Sequence, residues 1–74
     1  MMRVELIGFH DNSPVESYVD WPGDAPFAHG IGVRFKSAGV EYVGTIDGII
    51  VDAISASEGG SSQTIAKLKD LHTV

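Results

Sequence analysis

The chain contains no cysteine among its 74 residues. Neither a disulfide framework nor a thiolate metal site is therefore available to hold together a domain this short. Basic residues are scarce as well: five Lys and Arg stand against ten Asp and Glu, a formal charge of −5. A free-standing nucleic-acid binder carries a basic patch that releases condensed counterions, and an anionic membrane surface selects for the same sign. Direct contact with either is disfavoured. Long hydrophobic runs are also missing. The longest stretch without a formal charge, Ala25 to Val33, is nine residues and contains Pro26 and His29, far short of the ~20 apolar residues of a membrane-spanning helix. Arg3 is followed at once by Glu5, where the apolar core of a secretory signal would begin. A cytoplasmic protein is expected.

What remains is 43% hydrophobic, an ordinary globular composition that argues against disorder. No repeat or linker interrupts it, and residues 1–74 read as a single domain. A folded monomer of this mass exposes roughly 4,400 Å² where its extended chain exposes about 11,500 Å², so about 60% of the surface is buried on folding. Such a core is sufficient but thin.

The periodicity is mostly that of strands. From Gly30 to Lys36, Ile31, Val33 and Phe35 alternate with Gly32, Arg34 and Lys36, the pattern of a half-buried antiparallel strand. Ser37-Ala38-Gly39 reads as a three-residue connection to a second run, Val40 to Ile46. Asp47-Gly48 between Ile46 and Ile49 is a strong two-residue hairpin signal, and predicts a three-stranded meander from residue 30 to about 55. Arg3 to Phe9 and Val15 to Trp21 read as two further strands around the turn cluster His10-Asp11-Asn12-Ser13-Pro14. In the second of them Val15, Ser17, Val19 and Trp21 share one face, and Glu16, Tyr18 and Asp20 the other. Trp21 to His29 holds two of the three prolines and is expected to be irregular. At the C-terminus Ser61 or Ser62 is suited to cap a helix, and Ile65, Leu68 and Leu71 recur at spacing three, predicting one short amphipathic helix through about His72. The expected fold is α+β and mostly β: a small bent antiparallel sheet or partly open barrel of about five strands, with the C-terminal helix closing one mouth.

Few constellations carry chemistry. His10, His29 and His72 show no pair at the spacing that places two ligands on one face, so no metal is expected, and no other cofactor is implied. The serines lack a Gly-x-Ser-x-Gly elbow and fall mostly in turns, which argues against a hydrolase. Glu58-Gly59-Gly60-Ser61-Ser62 superficially resembles a phosphate cradle but lacks its Gly-Lys-Ser/Thr ending. It reads as the loop opening the helix. Arg34 and Lys36, joined by Arg3 across a sheet, would make a small basic spot, thin beside ten acids. A non-catalytic protein is expected.

The segment from Asp11 to Phe27 stands apart, holding Asp11, Glu16, Tyr18, Asp20, Trp21, Asp24 and Phe27 with no basic residue. In an extended strand Glu16 and Asp20 lie about 13 Å apart. Spaced carboxylates around an aromatic anchor suit a basic surface, the aromatic supplying affinity and the acids steering. The competing reading is that Trp21 and Phe27 are core. The sequence thus points to a small acidic protein that binds a protein partner through its basic surface, including surfaces that normally hold nucleic acid. Small inhibitors or modulators carried by phages and other mobile elements often act by such occlusion. The alternative is a structural or assembly subunit that self-associates into a homodimer through β-edges, with Ile49-Ile50-Val51 as a strong edge where uncovered.

Overall fold

The computed structural model describes residues 2–53 and 62–74. They form five strands: β1 (Met2–His10), β2 (Ser13–Trp21), β3 (Gly32–Ser37), β4 (Val40–Ala53) and β5 (Ser62–Thr73). The sheet order is β2-β1-β5-β4-β3. Every neighbouring pair is antiparallel except β1 and β5, which run parallel. The sheet is therefore mixed rather than antiparallel as expected, because β5 returns beside β1 in the same direction, and it curls into a half-barrel whose concave side holds the core.

Two tight turns set the register of the hairpins. Asp11 and Asn12, with φ of 50° and 63°, join β1 to β2 and place His10 opposite Ser13 and Met2 opposite Trp21. Short polar side chains tolerate this left-handed region, and a turn with both central φ positive matches the right-handed twist of the strands. Ala38 and Gly39, at 50° and 80°, make the same kind of turn between β3 and β4. Ser37 pairs with Val40, so the connection is two residues rather than three.

Two further expectations are corrected. The first is the C-terminal helix, because residues 62–73 are a strand, and no helix occurs among the described residues. Ala66 and Leu68 are buried on the concave side while Ile65 lies on the convex side opposite Glu5 and Ile50. Asp70 then takes a φ of 53°, and the register with β4 shifts between Val43 and Thr45. That bulge returns Leu71 to the concave side three residues after Leu68, so a strand with one inserted residue mimics helical spacing. The mouth is covered instead by the irregular segment after β2: Ala25, Phe27 and Ile31 pack on the core. The Gly30 N–H donates to the Ile46 carbonyl at 2.8 Å and the Ile46 N–H to that of Ile31 at 2.9 Å.

The second correction concerns Asp47-Gly48, which does not turn the chain. β4 runs through it with another register shift, Ile46 opposite Leu68 and Gly48 opposite Lys67. Asp47 is the extra residue of a bulge, and the expected meander is a two-stranded hairpin with one long arm. The Gly-rich run at 58–62 lies outside the described residues except for Ser62, which opens β5.

The buried core takes side chains from all five strands: Val4, Leu6, Val15, Trp21, Val33, Phe35, Ile46, Ala66, Leu68 and Leu71. Leu71 sits between two glycines on the strands that flank β5. A Cβ added to Gly44 on β4 would lie 2.9 Å from Leu71 Cδ1, and one on Gly8 of β1 would lie 3.2 Å from Leu71 Cδ2. The free edges of the sheet, β2 and β3, approach one another at one end. There the Ser17 hydroxyl donates to the Lys36 carbonyl at 3.0 Å and the Ser37 hydroxyl to that of Glu16 at 2.8 Å. Toward Trp21 and Gly32 the edges diverge around a groove of about 360 Å³.

Candidate interaction surface

Alternation along β2 divides the candidate residues between two faces. Glu16, Tyr18 and Asp20 are exposed on the convex side, whereas Val15 and Trp21 are buried on the concave side. Trp21 is 8% exposed. Its ring meets Phe27 edge-on at 5.0 Å, and its Nε1–H donates to the Ala25 carbonyl at 3.3 Å. Trp21 is core, and the partly buried Phe27 packs against it, fixing the segment over the mouth. Asp24 is exposed on that segment. Asp11 stands at the tip of the β1–β2 hairpin, its carboxylate 3.7 Å from His10 Nδ1. The seven residues therefore do not share one surface. The three on the convex side of β2 do.

The hairpin register builds that surface further. It sets Arg3 opposite Asp20, Glu5 opposite Tyr18, Ile7 opposite Glu16 and Phe9 opposite Pro14. The convex face thus grades from an apolar end at the hairpin tip to a charged, aromatic end. The Arg3 guanidinium carbon lies 5.0 Å from the centroid of the Tyr18 ring. Gln63 Nε2 donates to Glu5 Oε1 at 2.8 Å. Glu5 and Glu16 are diagonal cross-strand neighbours on this face, Glu5 opposite Tyr18 and Glu16 opposite Ile7, and the Glu5 carboxyl nearby raises that of Glu16 above its ordinary value of 4.5. Arg3, Glu5, Tyr18 and Gln63 line a shallow polar cavity of about 350 Å³.

Arg3 and Lys67 share this face, Arg3 opposite Asp20 and Lys67 beside Ile7, but among the described residues neither forms a salt bridge with its acids. Arg34 Nε bonds Glu41 Oε1 at 2.7 Å and Lys69 Nζ lies 3.9 Å from Asp47. Among the described residues the salt bridges, set at 4.0 Å or less, involve none of Glu5, Glu16, Asp20 and Asp24. The basic spot expected from Arg3, Arg34 and Lys36 does not form, since Arg3 lies on Tyr18 and Arg34 on Glu41, with β5 and β4 between their strands. Among the described residues no three His, Asp or Glu side chains converge to hold a metal. No helix among them is long and apolar enough to cross a membrane.

Glu5 and Gln63 belong to the surface and were not among the candidates read from the sequence. Glu5 is brought in by the Asp11-Asn12 turn, and a register count back from that turn locates it opposite Tyr18. Gln63 arrives only through the parallel pairing of β5 with β1, for which no local signal exists. No known protein family, curated protein or solved structure matches the chain.

Proposed function

We propose that this is a non-catalytic acidic binding protein that occludes a basic surface of a larger protein complex, acting as an inhibitor or modulator of the kind mobile elements carry. The observation that supports the reading is the convex face of β1 and β2. There Glu5 and Glu16 are diagonal cross-strand neighbours next to the exposed Tyr18 ring, and neither is salt-bridged among the described residues. Two neighbouring like charges cost free energy that a partner's cation would relieve, while the summed acidity steers that partner in. The test is capture from the native host at about 0.05 M and about 0.5 M salt, conditions in which the screening length falls severalfold. A basic partner is expected at low salt, and it should be lost on Glu16→Lys with Asp20→Lys. Retention of that partner by the double reversal would overturn the reading.

The self-associating alternative keeps one specific support. Beyond Ile46 the side of β4 away from β5 faces no strand among the described residues, and Ile50 and Val51 there are 45% and 63% exposed. Light scattering over a concentration series tests it. A stable multiple of 7.9 kDa that Val51→Lys reduces to the monomer supports edge pairing, and a monomer throughout excludes it.

A further inference from the structure

We infer that the polar cavity between Arg3, Glu5, Tyr18 and Gln63 is a receptor for one arginine side chain of the partner, in preference to lysine. This rests on the reading that the convex acidic face binds a basic surface, and it specifies the contact. Three features converge. The Tyr18 ring, in its own setting, already takes a guanidinium: Arg3 lies 5.0 Å from its centroid, yet the residue remains 50% exposed. The Glu5 carboxylate is oriented by Gln63 through Oε1 at 2.8 Å, which leaves its other oxygen free of that bond. Glu16 is the diagonal cross-strand neighbour of Glu5 on the same face, since Glu5 pairs with Tyr18 and Ile7 with Glu16. Adjacent acceptor oxygens next to an aromatic ring match a planar fork of N–H donors that also stacks. A lysine ammonium, a point charge with a tighter hydration shell, gains the attraction without the fork or the stacking. The cavity of about 350 Å³ has room for such a planar group.

The probes are two peptides, identical except for one central Arg or Lys, each flanked by lysines that supply the long-range attraction. Their affinities for the full chain are measured by NMR titration, with the Tyr18 ring protons and the Glu5 and Glu16 amides as reporters. The Arg peptide should bind roughly two- to fivefold more tightly, the range of an exposed cation–π contact. Tyr18→Leu, on the convex face and away from the core, should narrow the difference by removing the stacking while leaving the shared, salt-sensitive attraction. Glu5→Gln should narrow the difference without unfolding the chain. Equal binding of both peptides to the unaltered protein would overturn the arginine receptor while leaving the acidic-face reading in place. Absence of binding by either would overturn both. A preference for arginine that persists undiminished in both Tyr18→Leu and Glu5→Gln would place the receptor elsewhere and refute this site.

Discussion

Replacing Gly44 with alanine tests the unexpected strand β5 through a single methyl group. The new Cβ would lie 2.9 Å from Leu71 Cδ1, 3.4 Å from Leu68 Cβ and 3.4 Å from the Lys69 carbonyl oxygen. The clash is with Leu71 Cδ1, the other two neighbours lying at ordinary contact distance, and the buried Leu71 cannot simply swing aside because its other methyl already lies close against Gly8. Extra volume in a packed core costs about 1–3 kcal/mol, against which the stiffer unfolded chain returns about 0.4–1 kcal/mol. The net expectation is a loss of about 1–2 kcal/mol. For a chain of this size total stability is roughly 4–11 kcal/mol, and each kcal/mol moves the melting midpoint by about 4–8 °C, so Tm should fall by about 5–15 °C. Leu71→Ala alone should cost about 2–5 kcal/mol. In the double variant the alanine methyl enters the space that the leucine vacates, so the combined loss should fall short of the sum by about 1 kcal/mol or more. Gly32→Ala is the control, because a Cβ there meets nothing within 4 Å. Guanidinium and thermal unfolding followed by circular dichroism read all four variants. A Gly44→Ala protein as stable as the parent, or strict additivity with Leu71→Ala, would refute the packing of β5 against β4. A C-terminal helix lying elsewhere would have welcomed alanine in β4.

Three further outcomes are expected. Glu16 keeps its proton to a higher pH in the folded state than its ordinary value of 4.5, so the folded state binds more protons just above that value and stability falls as pH rises through the window. Glu16→Gln should remove that fall, as read by denaturant midpoints from about pH 4 to 7. Glu41 behaves oppositely, since the Arg34 guanidinium holds its carboxyl below 4.5; its contribution is present above that value and disappears as acid titrates the folded carboxylate, and Glu41→Gln should flatten this acid limb. Ala38 adopts a φ of 50° beside Gly39, a conformation that costs a non-glycine residue about 1–2 kcal/mol. Ala38→Asn should therefore raise stability by about 0.5–1 kcal/mol, and a lower melting midpoint would contradict the turn assigned here.

Where a strand is half-buried and regular, its face was readable in advance. Val33 and Phe35 are buried and Arg34 and Lys36 exposed, and the same alternation separated Trp21 from Glu16, Tyr18 and Asp20 along β2. That separation already placed the tryptophan on the side of Val15 and Val19, away from the carboxylates. The failures share one physical origin. Asp47-Gly48 suits a hairpin or a bulge equally well by local geometry, and the choice is made by the strand opposite, which continues past it from Leu68 to Lys67. Ile65, Leu68 and Leu71 are spaced as on a helix because Asp70 inserts a residue between two concave positions of a strand. In both places the deciding contacts are distant along the chain. The same holds for the site: Glu16, Tyr18 and Asp20 come from one strand, whereas Glu5 needs a hairpin register and Gln63 a parallel pairing.

The central claim is that basic groups are received on the convex face of β1 and β2. It is tested most directly by mapping amide chemical-shift changes across the whole chain as a lysine-rich peptide is titrated in. Changes concentrated at Glu5, Glu16, Tyr18 and Asp20, and abolished when salt shortens the screening length, are the predicted result. Shifts centred instead on Arg34 and Glu41 or on the groove between β2 and β3, or shifts that salt leaves unchanged, would contradict it.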